Sequence, residues 1–128
     1  MENQKSALGL DGNITALIGY IIGIVALILI FIEKDNKFVR FHAFQSVLWV
    51  VGYIVTVIVV MIVGIILAVV AGMVADSLGA IVGLLMTLLY LAILLGFLVG
   101  LIMAAVKSYG GNMWKLPIVG NLAEKWSS

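Results

Sequence analysis

The sequence predicts an all-α polytopic membrane protein: three transmembrane helices, an interfacial amphipathic segment and a short C-terminal helix. Three observations carry this. The 128 residues are 65% hydrophobic and 10% charged, with a mean hydropathy of +1.32, whereas soluble domains are about half apolar and a quarter charged. Charge is confined to a few short stretches, leaving 14–32 free of charge and 43–106 with Asp76 alone. Small residues recur at the spacing that lets membrane helices approach closely.

Taken in order, Met1 to Asn13 is short and polar, without the basic leader of a secretory signal peptide. Asp11 or Asn13 is placed to cap the first apolar helix. Ile14 to Ile32 is 19 residues long, which at about 1.5 Å per residue matches a hydrocarbon core and predicts a first span. A charged loop over 33–45 comes next, and its Phe38 to Ser46 end is expected to start a helix within the interface. Ala75-Asp76-Ser77-Leu78-Gly79 supplies a turn and cap, dividing the next apolar stretch into spans at about 46–74 and 78–106. Lys107 to Ser128 reads as a tail, in which Asn121 and Glu124 fit a capping box for a short helix. Leu122 and Trp126 would share one face of it, lying on the membrane or on the segment around Arg40. All of 1–128 forms one membrane domain.

Basic residues set the expected orientation. Lys34, Lys37, Arg40, Lys107, Lys115 and Lys125 would share one face of a three-span protein, opposite Lys5. The positive-inside rule then puts the N-terminus outside, with the loop and tail cytoplasmic.

Gly19 and Gly23 in the first span, Gly64 and Gly72 in the second, and Gly79, Gly83, Gly96 and Gly100 in the third predict close helix packing. The two pairs in the third span point in different directions, one toward its own chain and one toward a second subunit. His42, Gln45, Ser46, Trp49, Gly52, Tyr53 and Thr56 line one arc of the second span. By rise per residue, Tyr20, Tyr53, Thr56 and Tyr90 reach similar depths, which predicts a polar cluster within the membrane.

Chemistry is sparse. With no cysteine and one histidine, the chain offers no thiolate nucleophile, no disulfide framework and no metal site. No hydrolase, phosphate-binding or dinucleotide fingerprint occurs, and no ionisable side chain falls inside a predicted span. No catalytic residue, cofactor or nucleic-acid partner is expected. Arg40 and His42, with Lys34 and Lys37, have two readings: a lipid-phosphate or acidic-partner site, or a headgroup anchor with His42 bonded to the loop or tail.

Two stretches carry a resemblance: Glu33-Lys34-Asp35-Asn36-Lys37-Phe38-Val39-Arg40-Phe41-His42-Ala43-Phe44-Gln45-Ser46 and Trp114-Lys115-Leu116-Pro117-Ile118-Val119-Gly120-Asn121-Leu122-Ala123-Glu124-Lys125. They resemble the hallmark segments of a largely uncharacterised family of small prokaryotic membrane proteins. That family is grouped with the twenty-kilodalton Tic subunit of the chloroplast import translocon. The resemblance implies a subunit of a membrane complex related to protein translocation, although the import subunit has four spans and this chain reads as three. It marks Phe38, Arg40, Phe41, His42 and Gln45 as an interface-anchoring and tail-docking surface. The expected function is a non-enzymatic scaffold or subunit in the cell membrane that contacts lipid and forms homo-oligomers or joins a complex. An oligomeric channel or solute carrier and a lipid-headgroup-binding protein are the alternatives.

Overall fold

A computed structural model describes residues 3–128. Among these the chain is all-helical, in the order α1 (Gly12–Ile21), α2 (Gly23–Ile32), α3 (Lys37–Val74), α4 (Asp76–Tyr109) and α5 (Val119–Ser127). Helices α3 and α4 are long and apolar enough to cross a membrane.

The first apolar run is not the single span that its length predicts. It breaks at Ile22, whose backbone is extended at φ −115° and ψ 93°, and gives two helices of 10 residues each. Each is roughly 15 Å long, half a hydrocarbon core. They fold back on one another: a Cβ on Gly19 would lie 3.6 Å from the Ala26 Cβ and 3.8 Å from the Leu29 side chain. The two ends of the pair therefore meet. The Ala7 N–H donates to Glu33 Oε2 at 2.6 Å and Asn36 Nδ2 donates to the Gln4 carbonyl at 2.7 Å. Asn13 Nδ2 reaches the Tyr109 carbonyl at 3.0 Å. The N-terminal segment thus lies beside the 33–36 turn and the end of α4, not across a bilayer from them as the charge count predicts.

Two compact units divide the described chain, one of 3–51 with 99–128 and one of Gly52–Leu98. In the first, Ala16, Ala26, Leu29, Phe38, Val39 and Ala43 form one core cluster. Tyr20, Ala104, Ala105 and Leu116 form a second, with Trp49 and Trp114 against it. The first unit holds all seven basic residues. Phe38 to Ser46 does start a helix, as the opening turns of α3 rather than the end of a loop reaching residue 45, with Phe38, Val39, Phe41, His42, Ala43, Gln45 and Ser46 buried. Asn36 caps them by accepting the Val39 N–H at 3.2 Å.

The second unit is a helical hairpin joined at Ala75, with 23 residues in each arm (52–74 and 76–98). That is roughly 34 Å, enough to cross hydrocarbon. Asp76 is its one charged residue. The arms meet through glycine: a Cβ on Gly79 would lie 3.0 Å from the Gly72 Cα, and one on Gly64 would collide with Met86. A Cβ added at Gly83, Gly96 or, in the first unit, Gly23 would meet open space, so these three predicted packing positions make no close helix approach within the chain.

The tail does form its short helix, but not with the expected cap. Helix α5 begins at Val119 after Ile118, while Asn121 and Glu124 are engaged by Lys115 instead. At the other end Asp11 precedes α1 without a side-chain cap bond, its carboxylate taken by Lys5 at 2.6 Å.

Two outcomes are expected. Gly79→Ala should destabilise the protein by about 1–3 kcal/mol through backbone overpacking, whereas Gly83→Ala and Gly96→Ala should be neutral or slightly stabilising, as measured by denaturant titration in detergent. In this cysteine-free chain, Leu8→Cys and Lys125→Cys should react with an impermeant maleimide from the same side of sealed vesicles; opposite sidedness would restore a first helix that spans.

Candidate functional site: a buried polar joint at the start of α3

A break in a helix orphans backbone groups, and an orphan buried away from water costs free energy comparable to a lost hydrogen bond. The carbonyl of Gly19 would bond the N–H of residue 23 in a continuous helix. With the break at Ile22 it instead accepts Ser46 Oγ at 2.9 Å, buried inside the unit. At the far end of α2, Arg40 Nη1 donates to the Ile30 carbonyl at 3.2 Å and the Glu33 carbonyl at 2.9 Å, while its guanidinium lies 5.2 Å from the Phe44 ring centre. Arginine supplies several rigid donors where lysine supplies a point charge. Arg40 is therefore a cap on α2, with Nη1 serving both carbonyls. Glu33 completes this end, accepting the N–H groups of Ala7 and, at 3.0 Å, of Asn36.

Between these two caps lies a chain of polar groups. His42 Nε2 is 2.9 Å from the Asn112 carbonyl and its Nδ1 is 2.6 Å from the Tyr20 hydroxyl. A carbonyl only accepts, so Nε2 carries the proton and Nδ1 of the neutral ring accepts from Tyr20. Tyr20 in turn accepts Gln45 Nε2 at 2.7 Å. Gln45 donates its second N–H to the Trp114 carbonyl at 3.0 Å and accepts the Leu116 N–H at 2.8 Å. Both amide protons and the amide oxygen of Gln45 are thus used, and both ring nitrogens of His42. Phe38, Phe41 and Tyr20 pack their rings edge-on around the imidazole, with centroids 4.6 to 5.4 Å away. Among the described residues, every buried side-chain nitrogen and oxygen has a partner.

Of the residues singled out by the two-segment resemblance, His42 and Gln45 hold the backbone of 112–116. Phe38 and Phe41 wall the imidazole, and Arg40 caps α2. The proposed membrane cluster is assembled differently. Tyr20 spends its hydroxyl on His42 and Gln45, Thr56 donates to the Gly52 carbonyl of its own helix at 2.7 Å, and Tyr53 packs edge-on against Phe97 at 5.3 Å. Tyr90 is half-buried. Sequence reasoning missed the caps supplied by Ser46 and Arg40. Their only sequence signal is that a hydroxyl and a guanidinium stand on successive turns of a helix start that is otherwise largely apolar.

No three His, Cys, Asp or Glu side chains gather as a metal site among the described residues. What the joint does is mechanical: four side chains of one helix, Arg40, His42, Gln45 and Ser46, fasten the α1–α2 pair and the C-terminal segment to α3. An all-helical membrane protein built around such a joint is the class defined here. The chain belongs to the MamF/MmsF family, whose model, described as the magnetosome magnetite crystal formation protein family, matches residues 5–123. It is also similar to a UPF0132 membrane protein of Methanocaldococcus jannaschii, 34% identical over 129 residues that take in 96% of this chain and 94% of that protein. No solved structure matches. These matches replace the import-translocon grouping suggested by the two segments: they identify a different family over nearly the whole chain and carry no link to the Tic subunit.

Gln45→Leu should strand the Trp114 carbonyl, the Leu116 N–H and one Tyr20 bond. At about 1–3 kcal/mol for each buried group left unsatisfied, the C-terminal segment should become cleavable by protease at an early stage of digestion while the rest of the chain stays intact. Ser46→Ala should cost about 1–3 kcal/mol by exposing the Gly19 carbonyl, read as a lower denaturant midpoint; an unchanged midpoint would mean that the helix break does not depend on that cap.

Proposed function

We propose that the protein is a non-enzymatic scaffold of its membrane, which assembles through the apolar hairpin of Gly52–Leu98 and keeps its charged unit on the cytoplasmic side. The observation that carries this is the division of chemistry. The polar side chains buried in the first unit are committed to bonds within the chain, and the second unit presents exposed apolar residues along both arms. Helix association in lipid relies on close backbone approach at small residues, and Gly83 and Gly96 are uncovered in this chain. The orientation is supported by the seven basic residues of the first unit, against a lone Asp76 in the second.

Family membership supports a role in a membrane assembly, and the family's description refers to magnetite crystal formation in magnetosomes. In this chain Glu33, Asp11 and Glu124 are held by Ala7 and Asn36, by Lys5 and by Lys115. Membrane organisation is favoured by the exposed apolar hairpin rather than by the acidic residues, of which Asp35 and Asp76 are exposed. A headgroup site that uses His42 is disfavoured because the imidazole is buried and both of its nitrogens are bonded within the chain.

The test is oxidative crosslinking of single cysteines in native membranes. Gly83→Cys and Gly96→Cys should give disulfide-linked dimers and Gly79→Cys, whose site is covered by Gly72, should not. Monomers at all three positions would reject self-assembly through this hairpin.

A further inference from the structure

Helix α5 divides into three sectors. Gly120, Ala123 and Ser127 are buried, and a Cβ on Gly120 would come within 3.0 Å of Gln45 Oε1. This small-residue face seats the helix on the joint. At 100° per residue, Val119, Leu122 and Trp126 fall within an arc of roughly 60° on one flank. Asn121, Glu124 and Lys125 occupy the other flank and are exposed. Leu122 is 37% exposed and Trp126 49%.

Ile118 stands just before this helix with φ at 66° and is 82% exposed. A β-branched residue in the left-handed region is strained, and such strain collects at functional positions. Here it turns an isoleucine away from the protein core.

The placement of α5 says what covers these apolar groups. Trp126 packs edge-on against Phe44 with centroids 6.5 Å apart, and the Arg40 guanidinium lies over the same Phe44 ring. From Phe44 it is roughly 9 Å along α3 to Val50 and Val51, where the helix begins to expose apolar side chains. Tryptophan beside basic residues at the edge of an apolar stretch is the composition of a membrane interface, and an interfacial helix buries its apolar flank about 5–10 Å into the headgroup and acyl boundary.

We propose that α5 is an interfacial helix that inserts Ile118, Leu122 and Trp126 into lipid at the boundary between headgroups and acyl chains, while Asn121, Glu124 and Lys125 remain in water. Its occupant is the lipid surface itself. Self-assembly through the hairpin involves other residues, so either property can fail without the other.

The experiment uses the full chain in vesicles of phosphatidylethanolamine and phosphatidylglycerol, with single nitroxide labels on Ile118→Cys, Leu122→Cys, Asn121→Cys and Lys125→Cys. All four positions are exposed, and the Lys115 to Asn121 bond that the label at 121 removes is a surface one. Collision with oxygen, which concentrates in hydrocarbon, should exceed collision with a water-soluble nickel chelate at 118 and 122, and the order should invert at 121 and 125. Nickel-dominated collision at 118 and 122 would show a solvated tail and overturn the proposal. Low collision with both reagents there would show that protein covers the flank, and would overturn it equally.

Discussion

The structure depends on one constraint: backbone groups released by breaking a helix in apolar surroundings must be given partners. Ile22 interrupts the first apolar run, and the break is tolerable because α3 delivers donors to the groups it frees. Ser46 takes the Gly19 carbonyl, and Arg40 takes the last carbonyls of α2. In hydrocarbon, irregular backbone is admitted only where protein or water shields it. Here the shield is the start of α3.

The same turns carry a second task. His42 and Gln45 stand next to these caps on α3 and bond backbone groups of 112–116, with Tyr20 of α1 as the common member. The two tasks are coupled through that hydroxyl. Neutral His42 accepts from Tyr20, which leaves Tyr20 free to accept from Gln45, which in turn can spend its remaining proton on Trp114. Each donor direction is set by the one before it, so a change at one member alters the pairing of all three.

Much of this was legible in the sequence. Hydropathy carries the membrane character and the apolar arms, the residues Ala75 to Gly79 mark the turn between them, and the charged 33–46 stretch stands out by its composition. The break at Ile22 was not legible. Nineteen apolar residues satisfy the length of a span, and a Gly19 and Gly23 pair reads equally as a packing seam. What decides between one helix and two lies elsewhere in the chain, at Ser46 and Arg40, and periodicity within 14–32 carries no trace of it. The expected orientation of the N-terminus rests on a count of three spans, the first of which is here a folded pair of short helices. The expected depth of Tyr20 assumes a straight helix over 14–32, which the fold-back replaces with two. The import-translocon grouping rested on the wording of two segments, and the match over residues 5–123 assigns the chain to MamF/MmsF instead.

The fold-back also changes what the charge pattern means. Counted on three spans, Lys5 is a single basic residue on the wrong side. With the α1–α2 pair folded back on itself, Gln4 and Ala7 lie beside Asn36 and Glu33, and Lys5 joins the other six basic residues in one unit. Two helices of 10 residues each could not hold this arrangement by hydropathy alone. It is held by polar contacts at both ends of the pair, near Glu33 and Asn36 at its base and at Gly19 near the break. The specific polar residues at the start of α3 thus do what a continuous helix would not: they hold the first apolar segment folded back with its two ends together.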